Sequence, residues 1–341
     1  MRFCNYILID RYLDRRTKVV LKEEVLYALE QQKGEIVAGG SLAKTLGVSR
    51  TSVWKAIHSL QEEGNEIETV PNTGYRLLPT NDTLSKRIII DRLSTRFIGR
   101  EMAILPFVNS TNQYLKEANK DELQSGHVVI ADEQMSGRGR RGRTFVSAKG
   151  EGVYLSILLK LNGQNHDLRL LTVCAAVAVS KAIENICDID AKIKWVNDIF
   201  LNNKKVCGIL TEATLSAELQ ELDTIILGIG INTGDIATEI QDIATSLQRE
   251  TGMRGIRNSL VAEVLNQFEA IYLDYTERGN KEEILKSYED RLFIKGQQIF
   301  VVNSKEDYPV IVQGIDDTGG LIVQTSAGDV EHITSGEIRL S

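Results

Sequence analysis

Apolar positions near the N-terminus repeat at the spacing of amphipathic helices. The repeating residues are Leu21, Val25, Leu29, Val53, Ile57 and Leu60. The first three precede a break at Gly34, whereas the last three follow a turn at Gly47 and the favourable helix N-cap Ser49. A further short helix is predicted between these two stretches. The pattern therefore predicts a helix-turn-helix from about Gly39 to His58.

The outward face of the last of these helices is polar and basic. It carries Thr51, Ser52, Lys55, His58 and Ser59, with Arg50 at the helix start. Hydroxyls and one lysine fit a DNA major groove, and Arg50 is placed to reach a phosphate. Residues 67–78 alternate around a turn at Pro71–Gly74, which predicts a hairpin wing whose Arg76 contacts the DNA backbone. We expect DNA binding here; a plain helical hairpin is the alternative.

Strands alternate with helices from about residue 100 to residue 285. The predicted strands are 128–131, 153–158, 191–195, 206–210 and 224–229. A long helix is predicted from Asp167 to about Ile186, because Leu168, Leu171, Ala175, Val179 and Ile183 share one face. This region is expected to form a mixed α/β domain.

From Gly296 onward the chain changes to short strands and tight turns. Strands are predicted at residues 299–302, 308–312 and 321–323, with a turn at 316–320, which indicates a small β-barrel. These changes of pattern place the expected domains at 1–19 (an extension, either flexible or a start-site artefact), 20–80 (winged helix-turn-helix), 81–290 (mixed α/β) and 291–341 (barrel).

The composition is that of a soluble globular protein of two or three domains, with 341 residues, 42% hydrophobic and 26% charged. A net charge of -7 argues against general coating of nucleic acid, so DNA binding must come from a local patch. The first residues lack a secretory pattern and no apolar run reaches about 18 residues, so a cytoplasmic protein without membrane contact is expected.

Cysteine and histidine show no metal-binding or hydrolytic pattern. Cys4, Cys174, Cys187 and Cys207 lack paired spacing, and no H-E-x-x-H or G-x-S-x-G motif occurs. Zinc and serine hydrolysis are therefore not expected. The cysteines are interpreted as reduced thiols, and no metal site made of His or Cys is predicted.

The segment Gly137–Arg143 contains three glycines and four arginines. Glycine lets backbone N–H groups turn toward an oxyanion, and guanidinium groups suit phosphate or carboxylate, so an anion site is expected; a solvated basic loop is the alternative. The segment also matches the dinucleotide pattern G-x-G-x-x-G. However, no strand precedes it, no amphipathic helix follows, and residues 155–166 lack a carboxylate, so a nicotinamide site is not expected.

Together with Asn109–Asn112, Lys194–Asp198 and Gly228–Asn232, the segment Gly137–Arg143 resembles the motifs of biotin-protein ligases. The winged helix makes the chain similar to the bifunctional members, which also repress the biotin operon. The resemblance covers almost everything from about residue 20. It implies an α+β multidomain fold with a class II synthetase-like catalytic domain and an SH3-like C-terminal barrel.

The resemblance implies the activity of a biotin-[acetyl-CoA-carboxylase] ligase. Such an enzyme joins the biotin carboxylate to the AMP part of ATP, with Mg²⁺, and transfers the acyl group to a lysine of the biotin carboxyl carrier protein or another biotin-accepting domain. Because two anions must approach each other, fixed cations and N–H donors are required. Biotinyl-5'-AMP is the implied intermediate and corepressor. Operator DNA and, with adenylate bound, a second copy of the chain are the other implied partners.

Site residues also follow from the resemblance. The implied catalytic residues are Lys194, Arg138 and Arg140. The implied biotin-binding residues are Ser110, Thr111, Asn112, Gln134, Arg138, Gly139, Arg140, Lys194 and Gly230. The implied ATP and adenylate residues are Arg138, Arg140, Arg141, Arg143, Asn197 and Asn232. Asp198 is a hypothesis for the base that deprotonates the acceptor lysine, and the segment from Asn232 to about Arg257 is expected to be ordered by the adenylate.

Two other functions stay open on the sequence. A lipoate or other acyl ligase on a related core would also activate a carboxylate, and a repressor whose core only senses biotin would share the binding residues. The chain also departs from the family, which commonly has proline at the positions of Val196 and Ala148. These departures concern backbone stiffness rather than reacting groups.

Overall fold

The computed structural model describes residues 20–119, 122–161, 167–215, 222–302 and 307–340. They form two compact units. The first contains the described residues up to Asp91 together with Arg254–Asn258, and the second contains those of Arg92–Met253 and Ser259–Ser341. The predicted extension over residues 1–19, with Cys4, lies outside the described residues.

The first unit contains the predicted winged helix-turn-helix. Its elements are α1 (residues 20–30), α2 (Gly39–Leu46), α3 (Arg50–Glu62), the antiparallel strands β1 (Ile67–Val70) and β2 (Gly74–Leu77), and α4 (Lys86–Asp91). Gly47 ends α2 in the left-handed conformation at φ 66°, and the Ser49 side chain accepts a hydrogen bond from the Ser52 N–H. The predicted apolar faces of α1 and α3 meet in one buried cluster. The prediction from periodicity is confirmed.

The second unit is built on a seven-stranded sheet. Its strands are β3 (Met102–Leu105), β4 (Val128–Ala131), β5 (Gly152–Lys160), β6 (Lys192–Lys194), β7 (Asp198–Leu201), β8 (Lys204–Leu215) and β9 (Leu222–Asn232). Their order in the sheet is β3-β4-β5-β9-β8-β7-β6. β3 and β4 pair in parallel and the other neighbours pair antiparallel. The sheet is therefore mixed, as the predicted α/β class requires.

The helices after β3 are α5 (Thr111–Glu117), α6 (Leu168–Cys187), α7 (Leu247–Thr251), α8 (Arg257–Arg278) and α9 (Lys281–Glu289). The predicted long helix is α6, whose N-cap Asp167 accepts a hydrogen bond from the Arg169 N–H. α6 is long and apolar enough to cross a membrane, with a mean hydropathy of 1.6, but 78% of that window is buried inside the protein. It is the core helix that packs on the sheet.

The C-terminal part is rich in β-structure, as predicted. Its strands are β10 (Gln298–Val302), β11 (Tyr308–Ile315), β12 (Leu321–Thr325), β13 (Val330–Ile333) and β14 (Glu337–Leu340), in the order β13-β12-β11-β10-β14. All neighbouring strands are antiparallel. No pairing among the described residues joins β13 to β14. The sequence did not predict β13 or β14, because each strand has only one buried residue and so lacks a clear apolar face.

A buried carboxylate joins α8 to the segment before β3. Glu269 is 3% exposed and accepts hydrogen bonds from the backbone N–H groups of Arg96, Phe97 (2.9 Å) and Ile98 (2.8 Å). Because these three N–H groups lie outside the sheet, they have no backbone acceptor on a neighbouring strand, and the Glu269 carboxylate accepts their hydrogen bonds instead. A donor that loses such a partner costs about 1–3 kcal/mol.

We therefore expect Glu269→Gln to lower the free energy of unfolding by about 2 kcal/mol, because the amide keeps one acceptor oxygen and turns its NH₂ group toward the other donors. The matched control is Glu277→Gln, which removes a pair with Arg96 whose side chains are 54% and 63% exposed. The control should change stability by less than about 1 kcal/mol. Urea denaturation measures both variants, and equal losses would contradict the assignment.

The described cysteines are buried and free. Burial raises the pKa of the Cys174 thiol to about 12 and that of Cys187 to about 11. Because the thiolate is the reactive form, native Cys4→Ser protein should not react with Ellman's reagent until guanidinium unfolds it. Rapid colour development in the native variant would contradict this burial.

Candidate active site

A cavity of about 380 Å³ in the second unit is lined by every residue predicted to bind biotin or ATP. These residues are Ser110, Thr111, Asn112, Gln134, Arg138, Gly139, Arg140, Arg141, Arg143, Lys194, Asn197, Gly230 and Asn232. The volume is that of a small-ligand site. Segments far apart in the sequence therefore converge on one place, which we call the ligand cavity.

The arginine loop, Gly137–Arg143, folds back on itself at one side of the ligand cavity. The Gly139 N–H donates to the Arg143 carbonyl at 2.7 Å, and a 3₁₀ turn follows at Arg140–Gly142. Arg141 and Gly142 are both left-handed, with φ of 54° and 76°. The turn explains why glycine is needed at this point of the loop.

The four arginines of the loop have different partners. Arg138 is exposed and donates to Gln113 Oε1 at 3.3 Å. Arg140 is half-buried and donates to Asn197 Oδ1 at 3.2 Å, and burial lowers the pKa of its guanidinium. Arg140 is thus the loop arginine that is most enclosed and is tied to another lining residue.

Arg141 and Arg143 lean toward the C-terminal part. Arg141 lies 3.5 Å from a carboxylate oxygen of Glu337 in β14, and Arg143 pairs with the other oxygen. The Arg140 guanidinium also lies 3.5 Å from the Gly336 carbonyl oxygen. The C-terminal part therefore contributes directly to the wall of the ligand cavity.

Lys194 enters the ligand cavity from the end of β6. Its pKa is lowered by burial, although the Asp198 carboxylate opposes that shift. Asp198 is its register partner on β7 and forms an ion pair with Lys205 at 2.7 Å. Lys192, two positions earlier, is exposed. The two lysines lie on the same face of β6, opposite the buried Ile193, but only Lys194 lines the ligand cavity. The alternative in which both lysines face solvent therefore does not describe Lys194.

Hydrogen bonds fix the backbone that follows Lys194. The Trp195 Nε1–H donates to the Gly319 carbonyl at 3.0 Å, and the Tyr288 hydroxyl donates to the Val196 carbonyl at 3.1 Å. Asn197 Nδ2 donates to the Ile209 carbonyl at 2.6 Å. The Trp195–Val196 peptide bond is cis. Lys194 is therefore carried by a segment with partners on both sides.

The opposite end of the ligand cavity is neutral and polar. Thr111 and Asn112, each 3% exposed, belong to α5, and Ser110 caps that helix. The Thr111 N–H donates to Gln134 Oε1 at 2.9 Å, and Gln134 Nε2 donates to Ser147 Oγ at 2.9 Å. These contacts fix which face of the Gln134 amide is donor and which is acceptor. An uncharged polar ligand group matches this wall.

Two glycines of β9 make room for neighbouring side chains. A Cβ at Gly228 would lie 2.3 Å from Asn112 Oδ1, and one at Gly230 would lie 2.6 Å from the Phe145 ring. The close approach of a ligand to Gly230, expected from the sequence, stays a prediction; among the described residues the Phe145 ring lies against this glycine. Glycine here permits side-chain packing within the wall.

The segment after β9 also borders the ligand cavity. Asn232 Nδ2 donates to the Thr245 carbonyl at 3.0 Å, and Ile240, Ile243 and Ala244 contribute to the lining. Ile243 is nevertheless 70% exposed. The segment expected to respond to the adenylate thus carries an apolar side chain that is open to solvent beside the ligand cavity.

Sequence reasoning missed five residues that shape the site: Phe145, Ser156, Lys205, Glu212 and Glu337. Ser156 is the hydroxyl inside an otherwise apolar strand, and that contrast was a usable sign. Glu337 reaches Arg141 and Arg143 from nearly two hundred positions away. Nothing in the local pattern indicates such a partner.

The outward face of α3 carries Arg50, Thr51, Lys55 and His58, which are exposed as predicted. Ser52 and Ser59 are half-buried at its flank; Ser52 Oγ lies 2.9 Å from Ser49 Oγ, and Ser59 donates to Glu63 at 3.4 Å. Trp54, which the sequence did not single out, is 50% exposed and lies 4.3 Å from the His58 ring. Arg76 in the wing pairs with Glu68 at 3.1 Å.

Comparison with known proteins assigns each part of the chain. The biotin/lipoate A/B protein ligase family matches residues 104–232, a helix-turn-helix domain matches residues 22–76, and the biotin protein ligase C-terminal domain matches residues 296–341. These matches follow the N-terminal, central and C-terminal parts that the sequence pattern separates.

Among curated proteins, the bifunctional ligase/repressor BirA of Bacillus subtilis is 35% identical over 94% of this chain and 98% of its own length. BirA of Escherichia coli is 30% identical over 90% and 94% of the two chains. Among solved structures, biotin protein ligase from Aquifex aeolicus, in complex with biotin and ATP, has a TM-score of 0.63 at 32% identity and covers 71% of this chain and 100% of that one. The chain therefore belongs to the biotin protein ligase family, as a bifunctional ligase/repressor.

Proposed function

We propose that the ligand cavity is where this chain joins biotin to AMP and passes the biotinyl group to a lysine of a carrier protein. The biotin carboxylate attacks the α-phosphorus of ATP, pyrophosphate leaves, and biotinyl-5'-AMP forms. The lysine amine then attacks the acyl carbon, AMP leaves, and an amide bond results. The observation that carries the proposal is the convergence of a cationic end and a neutral polar end in one cavity.

The cationic end suits the reacting anions. Arg140 and Lys194 are half-buried, and a charge shielded from water acts more strongly on a neighbouring anion than an exposed one. Asn197 holds the Arg140 guanidinium at 3.2 Å. We assign Arg140 and Lys194 to the carboxylate and the α-phosphate, where negative charge increases during adenylation. Arg141 and Arg143, which pair with Glu337, are assigned to the outer phosphates of ATP.

The neutral end suits the ureido ring of biotin. Ser110, Thr111, Asn112 and Gln134 offer uncharged donors and acceptors in buried positions, which such a ring needs when it leaves water. The apolar wall formed by Leu155 and Ile229 borders the same cavity. A ligand with a polar ring at one end and a carboxylate at the other fits both ends at once.

The acceptor lysine must lose a proton before or during attack. Asp198 is our hypothesis for the proton acceptor, because it lines the ligand cavity beside Lys194. Its Oδ1 also forms an ion pair with Lys205 at 2.7 Å, which holds the carboxylate in place at this wall. No group of three His, Cys, Asp or Glu side chains converges within the described residues. Mg²⁺ is therefore assigned to the phosphates of ATP, whose charge it compensates.

The regulatory half of the proposal concerns the first unit. We infer that the adenylate-loaded chain forms a homodimer on operator DNA of biotin genes, with α3 in the major groove. Exposed Arg50, Thr51, Lys55 and His58 support this, as does Trp54 beside them. We also propose that the carrier protein is a biotin carboxyl carrier subunit and that this chain acts in the cytoplasm. The domain limits 20–80, 81–290 and 291–341 remain proposals.

Lys194→Gln should lower the rate of biotin-dependent exchange of pyrophosphate into ATP about a hundredfold or more, because it removes a cation from the site of developing charge. The control Lys192→Gln lies on the same strand but is exposed, and it should retain exchange. Exchange by wild-type protein with lipoate and not with biotin would contradict the proposed substrate. Equal loss in both variants would contradict the role of Lys194.

Biotin plus ATP should increase the affinity for DNA fragments selected by this protein, at fixed salt. The double variant Arg50→Ala/Lys55→Ala should weaken binding about tenfold or more, because a phosphate contact and a groove contact are lost. Glu23→Gln, an exposed change on α1, is the control. Fluorescence anisotropy measures all three proteins. An adenylate-independent affinity would contradict the regulatory half.

A further inference from the structure

A carboxylate lies directly behind the neutral end of the ligand cavity. Glu212 of β8 is outside the cavity lining, but its Oε2 accepts a hydrogen bond from Asn112 Nδ2 at 2.8 Å. Its Oε1 accepts one from Lys116 Nζ at 2.6 Å. Asn112 Nδ2 also donates to the Leu210 carbonyl at 3.3 Å. Both oxygens of Glu212 and both amide protons of Asn112 are thus engaged behind the wall.

Glu212 determines which way the Asn112 amide faces. An ionised carboxylate only accepts hydrogen bonds, so the NH₂ group of Asn112 must face it and the carbonyl oxygen must face away. That oxygen, Oδ1, lies 2.6 Å from Ser156 Oγ. Gly228 leaves room for this orientation, because a Cβ there would lie 2.3 Å from Oδ1. Asn112 therefore presents an acceptor to Ser156.

The orientation of the Asn112 amide determines which of the neighbouring hydroxyl groups donates and which accepts. Ser156 is fully buried and has one hydroxyl proton, with Asn112 Oδ1 at 2.6 Å and Thr111 Oγ1 at 2.7 Å. Because Oδ1 carries no proton, Ser156 must supply the one in that contact. The 2.7 Å contact then requires the proton of Thr111, because the single Ser156 proton is already used toward Asn112; Gln134 Oε1 is farther from Thr111 Oγ1, at 3.1 Å. A ligand therefore meets a lone pair of Thr111.

We propose that Glu212 is a positioning residue of the ligase: through Asn112 and Ser156 it makes Thr111 a hydrogen-bond acceptor toward the ligand cavity. The ureido ring of biotin has two N–H donors, and an acceptor at Thr111 matches one of them. This inference rests on the proposed function and deepens it, because it names the ligand atoms that the wall selects.

Substitution of Glu212 by glutamine reverses the direction of the hydrogen bonds. The ammonium group of Lys116 requires an acceptor, so the Gln oxygen turns toward Lys116 and the Gln NH₂ group faces Asn112. The Asn112 amide must then turn over and donate to Ser156. Ser156 becomes free to donate to Thr111, and the Thr111 proton can point at the N–H of the ligand. A donor placed against a donor weakens binding.

The test is isothermal titration of biotin into the full chain and four variants. Glu212→Gln should raise the biotin Kd about tenfold or more. Lys116→Met should leave it within about threefold, because Glu212 remains a group that only accepts. The double variant Glu212→Gln/Lys116→Met should recover most of the loss, because the Gln oxygen is free to face Asn112 again. Glu117→Gln, exposed on the same helix, controls for the change of charge.

A purely structural ion pair between Lys116 and Glu212 predicts a different outcome. Both single variants would then lose affinity alike, and the double variant would be no better than either. That pattern, or an unchanged Kd in Glu212→Gln, overturns the inference alone. Wild-type protein that binds no biotin overturns the proposed function with it.

A second readout uses the ligand. Biotin methylated on its ureido nitrogens lacks the N–H donors, so wild-type protein should prefer biotin to it strongly. In Glu212→Gln the preference should shrink about tenfold, because the unmodified donor is no longer matched. The Kd for ATP alone should stay the same in every variant. If the preference for biotin over methylated biotin does not change, or if ATP binding is lost in parallel, then Glu212 does not set the direction of these hydrogen bonds.

Discussion

The repulsion between a carboxylate and a triphosphate is the constraint on which the rest of this structure depends. Two anions cannot be brought to bonding distance in a cavity unless fixed positive charge lies between them. In the proposed mechanism Lys194 and Arg140 supply that charge from half-buried positions, where burial lowers the pKa of both. The fold must therefore hold two partly desolvated cations in place before any ligand arrives.

The two cations are positioned by elements that are distant in the sequence. Lys194 is aimed by the β6–β7 hairpin, and the residues after it are held by the Gly319 carbonyl and by the hydroxyl of Tyr288. Arg140 is held by Asn197, and its loop neighbours are held by Glu337. The C-terminal strands thus stabilise the cationic end of the ligand cavity, while α5 and β8 determine the hydrogen bonds of the neutral end.

Local periodicity predicted the elements whose apolar faces are continuous, such as α3 and α6, and the glycine-arginine composition predicted an anion site at a loop that lines the ligand cavity. Neither pattern predicted which strands become neighbours. The antiparallel pairing of β5 with β9 places Ser156 opposite Gly228 and creates the space for Asn112. The roles proposed for Glu212 and Glu337 arise only through tertiary contacts, so neither is visible as a functional residue in its own segment. The resemblance to the ligase family predicted which ligands bind, whereas the tertiary contacts explain how the lining residues of the ligand cavity are held.

The most direct measurement is single-turnover formation of biotinyl-5'-AMP from biotin and radiolabelled ATP, with Mg²⁺ and without any carrier protein. We expect one adenylate per chain, formed together with one pyrophosphate, and retained until a lysine acceptor is added. Tight binding of biotin and ATP without adenylate would contradict an active site in which Lys194 and Arg140 bring the two anions together, and would leave a protein that only senses its ligands.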